Sequence, residues 1–391
     1  MNPPAPSTTG QTAGPKPQSA MPSPFTPSSL SPTSAIVWED PCRAAVFANW
    51  LHSVAGLQGL LEASVRSASA DASFRRYFRV DSASGASFIF MDAPPDKENC
   101  QPFVEVADLM AAAGLKVPHI VAWDEPQGFM LLTDLGAKTM MDVINPDIPE
   151  ANFDLYMQAV DTLIDWQLAS KPAVLPPYDE ALLRRELALF PDWYLAKHRQ
   201  VSLNATQQAT LDKAFDLIVQ RNLAVPSVYV HRDFMPRNLM VSGHVDDPKL
   251  GVLDFQDAVY GPVSYDIASL MRDAFLSWEE PFVLDITIRY WQKAVKVGLL
   301  GANSPTGWGA DFGEFYRAVE WMGLQRHLKI LGIFARLTLR DGKPKYLADT
   351  PRFIAYVRAT ADRYRELGPF LKLMDQIEGI ETPMGYSFGK T

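Results

Sequence analysis

The sequence predicts an α+β protein with two lobes, a small β-rich lobe with one main helix followed by a larger, mostly helical lobe. Short apolar or alternating runs between turn residues, typical of strands, fill residues 35–136. Apolar residues at helical spacing dominate residues 137–391. Within this second lobe, residues 227–257 contain two short apolar runs with polar residues at their ends. We therefore expect strands inserted among the helices there.

Residues 1–34 have a different composition, in which Pro, Ser, Thr, Ala and Gly dominate and Lys16 is the only charged residue. They show neither the basic start nor the apolar centre of a secretory signal. Because such a segment buries too little apolar surface to offset its chain entropy, we expect a disordered tail.

The first lobe is predicted to start with a helix at Asp40-Pro41, a pair that favours a helix start as N-cap and first helical position. A stretch of small residues, 67–73, leads into a strand over 74–80. A short turn then joins this strand to a second one, Ser87–Met91. The two strands are expected to form a hairpin.

A helix over 101–113, ended by Gly114, and a strand over 129–133 complete the first lobe. The Asp-Leu-Gly break at 134–136 starts a linker. In the second lobe, helices are predicted over 152–169, 179–198, 206–221, 264–275, 281–297, 312–340 and 351–367, and Gly368-Pro369 is expected to end the last of them.

Composition narrows the classes of function. The net charge of −9 argues against a general nucleic-acid binder, which usually carries a basic surplus. Cys42 and Cys100 give neither a metal-ligand spacing nor a disulfide framework, which fits a reducing compartment such as the cytoplasm. No apolar run approaches the ~20 residues of a membrane helix, and no feature indicates an obligate protein partner.

The stretch 227–257 contains the candidate catalytic and metal-binding residues. Asn238 follows the aspartate of His231-Arg232-Asp233 by five residues, and Asp254 ends an apolar run that predicts a buried strand. Phosphoryl transfer from ATP needs one carboxylate at the acceptor hydroxyl, and an amide oxygen and a second carboxylate that bind Mg²⁺. We therefore predict that Asp233 is the catalytic carboxylate and that Asn238 and Asp254 are the metal ligands.

The small residues at 67–73 make this loop a candidate for nucleotide binding, because small side chains let backbone N–H groups approach phosphates. Ser73 lies in the loop, and Arg75 and Arg76 follow it with guanidiniums that can bind phosphate bidentately. A plain surface turn is the alternative, because the Gly-rich pattern of a kinase loop is missing.

This order of elements and motifs resembles the aminoglycoside phosphotransferase and choline kinase superfamily, the small-molecule branch of the protein-kinase-like fold. The resemblance covers about residues 36–370 and includes a segment past the metal aspartate, Gly261–Ala268. It implies that His231 braces the catalytic loop and that Asp266 makes a structural hydrogen bond near it. It leaves open whether Asp257 faces substrate or is solvated.

One departure from the family is Met91, which stands where members place a phosphate-binding lysine on the third strand. The counter-charge for the phosphates is then expected from Lys97 or from the two arginines after the small-residue loop. We also count Glu105 of the predicted helix and Leu132 of the last strand among the nucleotide-binding residues.

The runs DASFRRYFRV, FIFMDAPPDKE and LQRHLKILGIFARLTLRDGKPKYLADTPR are similar to one subgroup, the bacterial N-acetylmuramate/N-acetylglucosamine anomeric kinases of cell-wall recycling. This resemblance implies that a free amino sugar is phosphorylated by ATP on its C1 hydroxyl.

A basic stripe on the predicted helix 312–340 gives an indication of the substrate's charge that does not depend on the family resemblance. Arg326, Lys329, Arg336 and Arg340 share one face of this helix, and we take the first three as substrate-binding candidates. A basic face suits an anionic group such as the lactyl carboxylate of muramic acid, and it does not suit a polycationic aminoglycoside. A solvated basic face is the alternative.

Two other functions remain open at this point. One is a kinase for another small molecule, such as homoserine, choline or an aminoglycoside. The other is a nucleotide-binding regulatory module without catalysis. A protein kinase is disfavoured, because no activation-loop and Ala-Pro-Glu segment follows Asp254.

Overall fold

A computed structural model describes residues 36–38, 40–69, 74–242, 249–301 and 308–380. The predicted tail, 1–34, lies outside these residues. Within them the structure confirms the α+β, two-lobed fold class.

The first lobe is built on a five-stranded antiparallel sheet with the strand order β1-β2-β3-β5-β4. The strands are β1 (Arg66–Ser69), β2 (Arg76–Asp81), β3 (Ser87–Asp92), β4 (Ile120–Asp124) and β5 (Phe129–Thr133). Two helices accompany them, α1 (Pro41–Gln58) and α2 (Gln101–Ala112). The predicted hairpin of β2 and β3 is present, with Asp81 opposite Ser87.

The two faces of this sheet have different partners, because successive side chains of a strand point to opposite faces. One face carries Phe78 and Phe90, which belong to an apolar cluster with residues of α1. The other carries Met91 and Met130, which belong to the cluster that includes α2 and the second lobe. This second face therefore looks towards the space between the lobes.

The second lobe is mainly helical, as expected. Its helices are α3 (Met140–Val143), α4 (Phe153–Leu168), α5 (Glu180–Leu187), α6 (Ala205–Leu223), α7 (Ser264–Met271), α8 (Glu280–Lys296), α9 (Phe312–Leu339), α10 (Thr350–Arg363) and α11 (Gly368–Glu378). Its strands form two short antiparallel pairs, β6 (Ser227–Val230) with β9 (Val259–Pro262), and β7 (Leu239–Met240) with β8 (Gly251–Val252). These are the inserted strands that the sequence predicts.

Several predicted helix boundaries are wrong. Helix α7 ends at Met271 and α10 at Arg363, before the expected ends at 275 and 367, and a proline is involved in two further cases. The helix expected over 179–198 is divided into α5 and a π-helical segment, Phe190–Arg199, in which Pro191 provides no N–H for an α-helical bond. Gly368-Pro369 starts α11 instead of ending a helix, because proline in the first helical turn loses no intrahelical bond.

Helix α9 is the central element of the second lobe. Asp311 caps its start by accepting hydrogen bonds from the backbone N–H groups of Gly313 and Glu314. Gly332 lets α9 lie directly against Leu189, the residue that precedes the π-helical segment. A Cβ at position 332 would be 2.3 Å from the Leu189 carbonyl oxygen. A side chain there would push the two elements apart.

We expect Gly332→Ala to lower the free energy of unfolding by about 1–3 kcal/mol, because the added methyl overlaps backbone atoms. The matched control is Gly323→Ala in the same helix, where a Cβ would make ordinary contacts at 3.8 Å. The control should be neutral or stabilising by up to about 1 kcal/mol, since alanine is the better helix former. Urea unfolding of both variants measures the difference, and equal stabilities would contradict this account.

Candidate active site

A cleft of about 410 Å³ lies between the sheet and the motif-bearing segments of the second lobe. Its lining from the first lobe and the linker comprises Ala68, Tyr77, Arg79, Ile89, Phe103, Pro118, Leu132, Thr133, Asp134, Leu135, Gly136, Ala137 and Thr139. Its lining from the second lobe comprises Asp233, Met235, Arg237, Asn238, Met240, Leu253, Asp254, Phe275 and Tyr346. The structure thus brings Asp233, Asn238 and Asp254 together in one cavity with Leu132.

The loop after β6 carries Asp233 in a bent conformation that a buried carboxylate supports. Arg232 has a left-handed backbone, with φ of 77°, which is uncommon for a residue other than glycine. Asp266 of α7 accepts hydrogen bonds from the backbone N–H groups of His231 at 2.7 Å and Arg232 at 3.0 Å. Burial raises the pKa of Asp266 to about 6. Its contacts match the structural hydrogen bond that the family resemblance implies.

His231 fixes the same loop from inside. Burial lowers the pKa of its imidazole, so the ring is neutral at pH 7. Its Nδ1 lies 3.3 Å from the backbone nitrogen of Asp233 and its Nε2 lies 3.0 Å from the carbonyl oxygen of Leu253. The first contact needs an acceptor and the second a donor, so the proton is on Nε2. His231 therefore positions the loop, and it does not line the cavity.

Asn238 and Asp254 present oxygen atoms beside Asp233. The Asn238 side-chain amide donates from Nδ2 to the Asp233 carbonyl oxygen at 2.9 Å and lies 3.4 Å from Asp254 Oδ2. Its other atom, Oδ1, is thus the one suited to bind a cation. Asp254 also has a left-handed backbone, with φ of 62°, and Gln256 donates to its Oδ1 at 2.9 Å.

This donor set fits Mg²⁺, which prefers oxygen ligands and is commonly held by one or two protein groups together with substrate phosphates. Within the described part of the chain, no group of three or more His, Cys, Asp or Glu side chains could hold a metal by itself. A Mg²⁺ ion bound by Asn238 and Asp254 would therefore complete its shell with phosphate oxygens and water.

The predicted basic stripe needs correction, because Arg326 is buried, Lys329 is mostly buried, and both already have partners. Arg326 is 3% exposed, donates to the Arg232 carbonyl oxygen at 2.6 Å and lies 4.0 Å from Asp233 Oδ1. Lys329 donates to Glu186 at 2.9 Å. These two cations stabilise the loop after β6 from its buried side, and neither lines the cavity.

Glu186 of α5 is the buried carboxylate that holds this group of side chains together. It accepts from Lys329 and, at 2.5 Å, from the Arg232 guanidinium, and the Tyr178 hydroxyl donates to its other oxygen. Burial alone would raise the pKa of Glu186, but the charges of Lys329 and Arg232 outweigh it and lower the pKa to about 2. The catalytic loop is thus anchored through the side chain of its own arginine.

The other substrate-binding candidates lie outside the cavity. Asp257 is exposed, and its carbonyl oxygen lies 3.5 Å from the Arg232 guanidinium. Arg336 is half-buried near the end of α9.

Most of the nucleotide-binding candidates also lie away from the cleft. Arg75 is buried and forms an ion pair with Glu98 at 3.2 Å. Arg76 forms one with Asp92 at 2.5 Å, and Glu105 is exposed on α2.

Ser73 lies outside the described residues. Lys97 is placed over the Phe74 ring, 5.0 Å from its centroid. Like Arg75, Arg76 and Glu105, Lys97 is not among the residues that line the cavity.

Comparison with known proteins agrees with this geometry. The model of the family described as "Phosphotransferase enzyme family" matches residues 64–300, more than half of the chain. The protein belongs to this family.

Curated relatives and solved structures extend the comparison. The N-acetylmuramate/N-acetylglucosamine kinase of Pseudomonas aeruginosa is 47% identical over 345 residues, which are 88% of this chain and 96% of that protein. Its counterpart in Pseudomonas putida is 48% identical over 315 residues, or 81% and 88% of the two chains. The choline kinase from Cryptosporidium parvum Iowa II shares the fold, with a TM-score of 0.54 at 12% identity, over 85% of this chain and 99% of that one.

The sequence reasoning missed many cleft residues of this phosphotransferase, among them Arg79, Asp134, Arg237, Phe275 and Tyr346. Strand alternation was the available signal for Arg79, which lies two residues after Tyr77 and so on the same, cleft-facing side. Arg237 directly precedes the predicted metal ligand Asn238. Phe275 ends the segment predicted as a helix over 264–275, and the sequence contained no signal for its position.

Arg79 holds the first lobe to the linker. Its guanidinium donates to both carboxylate oxygens of Asp134, at 2.5 and 3.0 Å, and to the Gly136 carbonyl oxygen at 2.7 Å. The Ser87 hydroxyl donates to the same carboxylate at 2.7 Å. Because Asp134 neutralises the Arg79 charge, this side of the cavity carries little free positive charge.

Among the described residues of the phosphotransferase, none of the helices has the length and apolar character required to cross a membrane.

We expect Glu186→Gln to lower the free energy of unfolding by about 3–5 kcal/mol at pH 7, because it leaves two mostly buried cations, Arg232 and Lys329, without their counter-charge. The folded state lowers the pKa of Glu186 to about 2. Its stabilisation is therefore present above the ordinary glutamate pKa and is lost as the pH falls from about 4.5 towards 2. Urea unfolding at pH 7, 5, 4 and 3 should show the wild type and the variant converging on acidification.

The control is Glu180→Gln on the same helix, where the carboxylate is exposed and pairs with Arg184. This change should alter stability little at any of these pH values. A stability gap for Glu186→Gln that stays constant with pH would contradict the role of the charge.

Proposed function

We propose that this protein is an ATP- and Mg²⁺-dependent kinase that phosphorylates the C1 hydroxyl of N-acetylmuramate, of N-acetylglucosamine or of both, in the cytoplasm. The observation that carries the proposal is the convergence of Asp233, Asn238 and Asp254 in one cavity beside the linker. It is supported by relatives with that name at 47% and 48% identity over most of the chain.

The proposed reaction is a direct transfer. The C1 oxygen attacks the γ-phosphorus of ATP and forms a new P–O bond, while the bond from that phosphorus to the β–γ bridging oxygen breaks. ADP leaves with this electron pair, and the hydroxyl proton passes to Asp233 and then to solvent. The Asp233 side chain is 42% exposed, so its carboxylate can release the proton directly to solvent.

The chain's own contribution is mainly position and electrostatics, as in other phosphoryl transfers. Asn238 and Asp254 would hold Mg²⁺, which when bound offsets the negative charge of the phosphates. Arg326 lies 4.0 Å from the Asp233 carboxylate and hydrogen-bonds the backbone of the same loop. It therefore keeps the carboxylate directed towards the cavity.

Asp233→Asn should reduce kcat by roughly 10²–10⁴-fold, the usual contribution of a general base, and should leave ATP affinity nearly unchanged. An ADP-release assay measures kcat, and titration calorimetry measures the Kd for Mg-ATP. Asp257→Asn is the matched control, because Asp257 is an exposed acid of the same region outside the cavity. Wild-type turnover by Asp233→Asn would overturn the catalytic assignment.

A separate experiment tests whether the C1 hydroxyl is the group that is phosphorylated. Free N-acetylmuramate and N-acetylglucosamine should stimulate ADP release, whereas their methyl glycosides, in which C1 carries no hydroxyl, should not. Equal turnover of the glycosides would overturn the anomeric assignment. If no sugar yields ADP, a non-catalytic nucleotide-binding module becomes the better interpretation.

A further inference from the structure

A cationic and aromatic surface lies beside the catalytic loop and has no role in the phosphoryl-transfer chemistry described so far. It consists of Arg237, Phe275 and Tyr346, all of which line the cavity. Arg237 is exposed, belongs to the short helical turn Pro236–Asn238 and lies with its guanidinium 4.7 Å from the centroid of the Phe275 ring. We call these three residues the second-lobe wall.

The Phe275 part of the wall is held rigidly from behind. The buried Asp273 accepts hydrogen bonds from the backbone N–H groups of Phe275, at 2.5 Å, and Leu276, at 3.3 Å. Arg352 of α10 donates to the Ala274 carbonyl oxygen at 3.2 Å. The backbone that carries the Phe275 ring is thus held from behind, and the Arg237 guanidinium lies over this ring.

Tyr346 extends the aromatic surface from the segment after α9. Its ring packs on Phe334, with centroids 5.1 Å apart, and Phe334 in turn lies 6.4 Å from Phe275. Both cavity-facing rings therefore share one buried aromatic support. An aromatic surface of this kind suits the apolar C–H face of a sugar ring, while a guanidinium suits a carboxylate, which it binds bidentately.

Arg237 differs in its pairing from the other cations around the site. Arg232 and Lys329 are bound to Glu186, and Arg79 is bound to Asp134. For Arg237, no carboxylate of the described ranges lies within ion-pair distance; its charge acts on the buried Asp273 from farther away, and its guanidinium lies over the Phe275 ring. An exposed guanidinium in a cavity, fixed by an aromatic ring, is ready to bind an anion.

We propose that Arg237 binds a carboxylate substituent of the sugar substrate, with Phe275 and Tyr346 beside the sugar ring. The wall would thereby favour an acidic amino sugar with a lactyl ether, N-acetylmuramate, over the neutral N-acetylglucosamine. This inference rests on the proposed function. The wall consists of second-lobe segments alone and contains none of the sheet and linker residues that line the first-lobe side of the cavity, which favours a contact with the acceptor over one with the nucleotide.

The test compares kcat/KM for both sugars in the wild type, Arg237→Gln and Arg237→Lys. Arg237→Gln should lower kcat/KM for N-acetylmuramate by about 10- to 100-fold, the effect of losing a charge-assisted hydrogen bond. It should change the value for N-acetylglucosamine by less than about threefold, and Arg237→Lys should restore part of the loss because it keeps the charge.

A second measurement uses the wild-type protein and so does not depend on how a variant folds. The methyl ester of N-acetylmuramate lacks the negative charge, and the wild type should use it about as poorly as Arg237→Gln uses the acid. The two changes should not add, because they remove the same contact.

Arg289→Gln is the matched control, because the Arg289 guanidinium also lies 4.7 Å from a ring centroid, that of Phe153, at a site outside the cavity. It should leave both kcat/KM values unchanged. Equal losses of Arg237→Gln on both sugars, or no loss on either, would overturn the inference while the proposed function stands. A wild type that is inactive on both sugars would overturn the proposed function and this inference with it.

Discussion

The site depends on one buried carboxylate, Asp266, which accepts hydrogen bonds from two successive backbone N–H groups of the catalytic loop. Burying a charge has a large cost unless hydrogen bonds compensate it. Here they also fix a left-handed residue, Arg232, that would otherwise relax to a commoner backbone conformation. Asp233 follows directly, so the direction of this proposed catalytic carboxylate depends on Asp266, which does not line the cavity.

Whereas Asp266 holds the backbone of this loop in place, a second buried carboxylate, Glu186, holds side chains of and beneath the loop. It pairs with Arg232 and Lys329, while Arg326 hydrogen-bonds the Arg232 carbonyl oxygen. Arg326 and Lys329 of α9 thus stabilise this loop and do not face the cavity. Fold and site are coupled here, because Gly332 lets α9 approach Leu189, which directly follows α5, and α5 carries Glu186.

The sequence was sufficient for the fold class and for the side chains that converge in the cleft, since Asp233, Asn238 and Asp254 are close along the chain and need only one loop and one short strand. It was not sufficient for residues whose role depends on distant partners. The one-face spacing of Arg326 and Lys329 correctly placed them together, but periodicity does not say whether a face meets solvent or a buried glutamate 143 residues away in the chain. Arg75 and Arg76 likewise form ion pairs with Glu98 and Asp92, which their spacing in the sequence did not indicate.

Met91 shows how such a departure is accommodated. Its side chain is fully buried and belongs to the apolar cluster that includes Phe103 and Met110 of α2, while Glu105 of that helix is exposed. A lysine at this position would bury an amine without a counter-charge, so restoring the family's residue would disrupt the packing of α2 on the sheet. The first lobe therefore offers the cavity a mainly apolar face, on which the charge of Arg79 is neutralised by Asp134. The polar and charged side chains for the proposed reaction therefore come from the second lobe: the proposed metal ligands Asn238 and Asp254, and the two arginines Arg326, beside Asp233, and Arg237, in the cavity lining.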